Sequence, residues 1–337
     1  MDTPVETRSV VVGFLAGALV TALLLWVVGV GTVLDALSRT HPRRLLLVAA
    51  AAACWLVAWA LSLRTVLRVL GRDVSVPRAV AVYASTAFAN NVTPFGQAGG
   101  EPFSAYLISR ETDVEYGTGF AAISSVDALH FVPSLTLGVA GFGYLAATAT
   151  LGDRLTLVAA AVAVLAVGLP VLVYLAWTNR ERVERGVARA VAPAARLVGR
   201  VVPRISTPDA DAVEARVAEF FVAIDRVAAD RRGLLLAVGF SALGWLALAA
   251  SLWSSLYALG YTIPFVVALV AIPVGDLAAV VPIPGGLGGL EALLVLVVST
   301  LTPVPAGVVA AAALVHRVAT YLFPMVLGGA AAAVIAD

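Results

Sequence analysis

The chain has 337 residues, of which 61% are hydrophobic and only 13% charged, with a formal net charge of +1. Soluble globular domains carry about 25% charged residues, so the composition excludes an ordinary water-soluble domain, and the near-neutral balance gives no field that would gather nucleic acid. Cys54 is the sole cysteine and the three histidines are scattered, which excludes an intramolecular disulfide and gives no metal-ligand spacing.

Apolar windows of roughly 20 residues suffice to cross a ~30 Å hydrocarbon core. They predict membrane-crossing helices over 9–30, 44–66, 117–147, 154–177, 233–258 and 306–335. The first follows Arg8 without a small-residue cleavage site and reads as an uncleaved span rather than a signal peptide. Two further apolar stretches are interrupted, 79–92 followed by 101–110 and 264–281 followed by 289–300. Their halves are mostly shorter than a bilayer crossing, which predicts two re-entrant helical hairpins over 79–110 and 264–300. The expected fold class is an all-α integral membrane protein with about six spanning helices plus the two hairpins in an inverted-topology repeat. The chain divides into a membrane half over 1–177, a polar segment over 178–232 and a second membrane half over 233–337.

Arginine sets the expected orientation. Asn179 to Arg232 carries eleven arginines, and Arg64, Arg68, Arg72 and Arg78 cluster in one connection, so both should be cytoplasmic, and Arg8 places the N-terminus there too. Arg39, Arg43 and Arg44 then violate the rule. The polar segment reads as two amphipathic helices. Val183, Val187, Val191, Leu197, Val198 and Val201 form an apolar stripe opposed by arginines, and a second helix starts near Thr207 with Val213, Val217, Phe220, Phe221 and Ile224 as its apolar face. An interfacial bracket between the two halves, or an arginine surface gathering anionic lipid, would use this pattern.

The interruptions carry one pattern twice, 190 positions apart: Pro94-x-Gly96-x-x-Gly99-x-Glu101 and Pro284-x-Gly286-x-x-Gly289-x-Glu291. The first break is expected to contain Pro94, Gly96, Gly99 and Gly100, and the second Pro282, Pro284, Gly285, Gly286, Gly288 and Gly289. Irregular backbone at bilayer depth is tolerated where it is buried in protein or lines a cavity. Three crossings separate the hairpins, so they should enter from opposite sides, an arrangement that suits alternating access around a midplane site.

A carboxylate at membrane depth costs roughly 2.5 to 3.5 kcal/mol on insertion scales, which singles out Glu101 and Glu291. They read as counter-charges or a proton-linked switch, or alternatively as acids in the first turn of each returning half-helix that stabilise its positive end. The same half-helix ends offer free amides to an anion such as a phosphate headgroup. Asn90, Asn91, Thr93 and Gln97 add neutral donors and acceptors around the first break. Asp127 and His130 share a helix face, either as a satisfied polar pair or as part of a proton or headgroup path. Arg317, midway along the last span, needs an anionic partner, and Asp276 or Glu291 is expected to supply it, as structural glue or as a pair that opens for a lipid phosphate. Soluble-type enzymology has no support here: no Walker loop is present and the glycine runs do not follow a strand.

The stretch Asn90-Asn91-Val92-Thr93-Pro94 through Gly99-Gly100-Glu101-Pro102, with Arg110 downstream, and the stretch Pro282 through Glu291 together resemble the flippase-like membrane family. That family includes the transmembrane region of lysylphosphatidylglycerol synthase, the multiple peptide resistance factor. The resemblance covers essentially the whole chain. It implies a polytopic lipid translocator, with relatives that move aminoacylated phosphatidylglycerol or are associated with polyprenyl-linked sugars, and a site lined by Asn91, Glu101, Arg110 and Glu291. The chain ends at Asp337 without a soluble aminoacyltransferase domain, so synthesis of lysyl lipid is not expected.

The expected function is movement of a phospholipid or lipid-linked headgroup between leaflets of the cell membrane, with no cofactor, no enzymatic step and no ATP of its own. Membrane lipids are the expected partners, anionic phospholipid or a polyprenyl-linked substrate, with a separately encoded lipid-modifying enzyme or glycosyltransferase as a further candidate. The alternatives are a proton- or ion-coupled transporter of small anions and a membrane-embedded enzyme acting on lipid phosphates.

Overall fold

The computed structural model describes residues 30–38, 40–93, 97–148, 221–280 and 283–336, with isolated positions at 22, 26, 175, 178 and 179. All regular structure among these residues is helical. The helices are α1 Val30–Ser38, α2 Pro42–Val69, α3 Val76–Val92, α4 Gln97–Thr112, α5 Tyr116–Thr148, α6 Arg231–Ala258, α7 Phe265–Asp276, α8 Gly289–Leu301, α9 Ala306–Arg317 and α10 Phe323–Ala336. Short 3-10 turns occupy Leu277–Val280 and Pro284–Gly286, and a π turn over Val318–Leu322 joins α9 to α10.

Among the described residues, four stretches are long and apolar enough to cross a membrane: α2, Tyr116–Leu145 of α5, α6, and Ala306–Val334 through the π turn. They match the expected spans 44–66, 117–147, 233–258 and 306–335. The expected spans 9–30 and 154–177 lie largely outside the described residues, as do the amphipathic helices of 178–232 apart from a helix over 221–229. Near the start, helix occupies Val30–Ser38, where the apolar pattern predicts that the first span has ended. Val33 and Ala36 are buried in the common core, and α1 packs on α9, so tertiary contact holds helix beyond the hydrophobic run.

The scaffold is the antiparallel pair α2 and α6, each about 42 Å long at 1.5 Å per residue. Pro42 opens α2 at its first turn, where the missing amide costs nothing, and Asp230 caps α6 by accepting the Gly233 amide at 2.9 Å. Between them the Trp59 indole donates to the Ser241 carbonyl at 3.1 Å and the Ser62 hydroxyl to the Ala237 carbonyl at 3.0 Å. At one end of the pair the His41 amide donates to the Ala258 carbonyl, and Arg44 donates to the Tyr257 carbonyl while lying over its ring. At the other end, Gly233 gives Val69 room that a β-carbon would fill.

The two interrupted elements open at opposite ends of this pair. α3 and α4 pack against each other, and their open end lies where α2 finishes: Arg64 and Arg68 pair with Asp73, Arg72 donates to the Asp113 carbonyl, and Arg78 pairs with Glu111 at 2.6 Å. α7 and α8 also pack against each other, and their open end lies where α6 finishes. There the Trp253 indole donates to the Ile263 carbonyl at 2.9 Å, and residues Tyr261–Pro264 and Leu301–Val304 line a cavity of about 320 Å³.

Candidate functional site

The closed ends of the two interrupted elements meet inside the bundle. α3 packs on the turn Pro284–Gly286, and α10 packs along α3, where Gly328 accommodates the Ala84 carbonyl. Gly285 adopts φ 59°, a left-handed conformation that glycine takes without steric cost. A β-carbon at Gly285 would collide with the Tyr321 ring and come within 3.1 Å of the Asn91 side-chain oxygen. One position of the second break thus touches both the first interrupted element and the last span. Gly286 and Gly288 also have positive φ, and Gly288 precedes the first residue of α8, Gly289.

Arg317 sits at this junction with its side chain 12% exposed. Its Nε donates to Glu291 Oε1 at 2.8 Å, one terminal nitrogen donates to the Gly285 carbonyl at 2.7 Å, and its guanidinium carbon lies 4.4 Å from the Tyr321 ring centroid. The arginine therefore ties the second break to the last span by an ion pair, a backbone hydrogen bond and a cation–π contact. Glu291 is 3% exposed and lies in the first turn of α8, where the helix end favours its charge. Its second oxygen, Oε2, has no hydrogen-bond partner among the described residues, nor does the buried Tyr321 hydroxyl. Of the two expected partners for Arg317, Glu291 forms the pair. Asp276, at the end of α7, is exposed and makes no direct ion pair with Arg317.

The first motif is built differently from the second. α4 begins at Gln97, so Gly99 and Gly100 are helical and do not belong to the break, contrary to the sequence expectation. A β-carbon at Gly100 would lie 2.7 Å from the Asn90 backbone. The glycine serves close approach of α3 and α4, which pays no regard to the loop-forming role its sequence context suggested. Consequently Glu101 falls beyond the first turn of α4 and is not a counterpart of Glu291 in capping. It is half-buried, and its Oε2 accepts the Ser124 hydroxyl at 3.1 Å. Asn90 and Asn91 are half-buried near the end of α3; the Asn90 side-chain oxygen has no partner among the described residues, and Thr93 donates to the Ala89 carbonyl at 2.8 Å. The Gln97 side chain lies outside the described residues. Arg110 is exposed in the last turn of α4, about 14 Å along the helix from Glu101.

Asp127 and His130 are buried on α5 but are not a satisfied pair. Asp127 Oδ2 and both ring nitrogens of His130 lack hydrogen-bond partners among the described residues. The imidazole stacks on Trp59 at 4.1 Å between centroids, and the Trp245 indole donates to the His130 carbonyl at 3.0 Å. Three participants were missed in the sequence: Tyr321, Ser124 and Trp59. Tyr321 stands four residues after Arg317, so helical spacing marked it as a neighbour. Ser124 stands three residues before Asp127 on the same helix face, whereas Trp59 has no comparable signal, since long-range packing brings it in.

Helices long enough to cross a bilayer, with the end of α3 packed on the turn Pro284–Gly286 beside a buried ion pair, define a membrane protein with a polar centre inside the bundle. Residues 10–328 match the family described as the lysylphosphatidylglycerol synthase TM region, and the chain belongs to that family. A relative from Methanothermobacter thermautotrophicus, described as a UPF0104 membrane protein, is 35% identical over 132 residues, a stretch that covers 39% of this chain and 37% of the relative.

Proposed function

We propose that this chain translocates an anionic phospholipid or a lipid-linked phosphate between the leaflets of the cell membrane, without covalent change to the lipid. The observation that carries the reading is the buried Arg317, held between Glu291 and the Gly285 carbonyl where α3 packs on the second break. A buried arginine whose partner sits on a separate, interrupted element is suited to exchange that carboxylate for a phosphate, since guanidinium geometry matches both. The amides at the start of α8 would share the phosphate charge. Membership of a family named for a lipid synthase region supports a lipid cargo.

In this reading the interrupted elements are re-entrant hairpins related by inverted topology. Their opposite open ends on the α2 and α6 scaffold support it, as does the arginine cluster at the open end of the first, which the positive-inside rule assigns to the cytoplasm together with the N-terminus and the 178–232 segment. The headgroup would pass between the hairpins while the acyl chains remain in lipid. A separately encoded lipid-modifying enzyme or glycosyltransferase would supply or consume the cargo.

The test is reconstitution into vesicles with a panel of headgroup-labelled lipids, scored by loss of protection from a membrane-impermeant quencher. Protein-dependent movement of anionic lipid, lost in Arg317→Ala, is expected. Uptake of a soluble anion without lipid movement would replace this reading by small-anion transport, and altered headgroups recovered from the vesicles would replace it by catalysis.

A further inference from the structure

The buried polar groups that the Arg317 junction does not use lie on α5. Ser124, Asp127 and His130 recur every three residues and share one face of that helix. Asp127 is 7% exposed with Oδ2 unpartnered among the described residues, and His130 is 3% exposed with both ring nitrogens unpartnered. Buried polar atoms are overwhelmingly hydrogen-bonded, and ionisable groups at this depth are costly and are retained mainly for function.

The surroundings supply a connected set of titratable groups. From α4 comes Glu101, whose Oε2 accepts the Ser124 hydroxyl and whose charge acts on Asp127. From α3 comes the buried Tyr83, which meets Trp59 edge-on at 6.2 Å between ring centroids. Asp276 stands at the end of α7, which packs on α5. From α2 and α6 come the rings of Trp59 and Trp245. Trp59 lies face-on to His130, and an aromatic face of this kind attracts an imidazolium. Glu101, Asp127 and His130 are therefore gathered on two neighbouring helices, α4 and α5, of the bundle that also holds Arg317 and Glu291.

We propose that Asp127, with His130 beside it, is a proton-binding site that couples lipid movement to a proton gradient, an inference that rests on the translocation reading. The step is an acid–base one: a proton from the aqueous side adds to a carboxylate oxygen of Asp127, giving the neutral acid, and later leaves to the opposite aqueous side. The Ser124 hydroxyl and Glu101 provide the approach, and His130 offers a nitrogen lone pair as the next acceptor. Neutralising Asp127 removes a negative charge from the low-dielectric interior of the bundle that holds Arg317. That change favours an anionic headgroup at Arg317, so proton and anion move together.

Two measurements test this. In detergent-solubilised full-length protein, infrared difference spectra across a pH step should show a buried carboxyl band that Asp127→Asn removes and Asp127→Glu shifts without removing. This readout needs no lipid cargo. In vesicles carrying a labelled anionic lipid, a one-unit pH gradient at one proton per lipid should drive the leaflet distribution toward about 10:1. The distribution should reverse with the gradient, and Asp127→Asn should abolish the response while Asp127→Glu retains it. A carboxyl band that survives in Asp127→Asn overturns the proton site, as does lipid movement indifferent to the pH gradient or driven by a sodium gradient instead. A wild-type protein that shows the band but moves none of the lipids overturns the translocation reading and the coupling with it, whereas the band itself still supports proton binding at Asp127.

Discussion

Arg317 and Glu291, 26 positions apart, meet at 2.8 Å with their side chains 12% and 3% exposed, and the carboxylate's other oxygen is left without a partner among the described residues. A pair satisfied on one side only is poised for a further ligand or a proton, and its loss leaves a buried charge uncompensated. Arg317→Ala should therefore destabilise the protein by about 3 to 5 kcal/mol. The reversed pair, Glu291→Arg with Arg317→Glu, should recover part of that, as read by thermal unfolding in detergent. A single Arg317→Ala that melts like the wild type would show that the pair carries no stability.

The two motif acids should separate in their stability effects. Glu101 is half-buried with one hydroxyl donor, so Glu101→Gln should cost no more than about 1 kcal/mol, the size of one ordinary hydrogen bond. Glu291→Gln removes the charge facing Arg317 and should cost about 1.5 to 3 kcal/mol, the range for a hydrogen bond to a charged group. Both variants should lose lipid movement in vesicles. Equal melting shifts would mean that the motifs are structurally equivalent after all, and retained transport would assign both acids to structure.

The difference between the motifs marks what was legible in the sequence. Long apolar windows read well, because crossing a bilayer imposes length and composition directly, and α2, α5, α6 and the α9–α10 stretch stand where the hydropathy put them. Glu291 as the partner of Arg317 was one of two expected alternatives, since charge balance at depth narrows the choices but cannot rank two acids. Gly100 was misread because glycine serves both bent backbone and close helix contact, and only the Asn90 backbone packed against it decides between them. The unpartnered Asp127 and His130 were legible as a shared face, whereas their lack of hydrogen bonds depends on neighbours drawn from α2, α4 and α6.

Accessibility at the breaks tests the inverted arrangement. In a Cys54→Ala background, cysteines at Gln97 and Leu287 should react with impermeant thiol reagents from opposite sides of the membrane, or from both sides through an aqueous cavity. The open ends of the two interrupted elements on the α2 and α6 pair motivate the expectation. Reaction of both positions exclusively from one side would exclude inverted hairpins.

Gly285 and Tyr321 should behave as a coupled pair. Gly285→Ala places a β-carbon into the Tyr321 ring and forces an L side chain into φ 59°, so both overlap and backbone conformation oppose it. The backbone contribution alone is about 1 kcal/mol or more, and the collision adds to it, because the Arg317 guanidinium packs against the same ring and limits its movement. Tyr321→Ala removes the collision but leaves the strained φ, so the double variant should be more stable than the sum of the single losses implies. A coupling energy of about 0.5 to 3 kcal/mol in a double-mutant cycle would fit two residues in direct contact. Strict additivity would place the ring away from Gly285, and with it the contact between the second break and the last span would fail. The same cycle read by lipid movement separates packing from function. If Tyr321 only fills space, Tyr321→Phe should transport normally. If its buried hydroxyl, unpartnered among the described residues, takes part in holding a phosphate, Tyr321→Phe should slow transport while its melting temperature stays at the wild-type value.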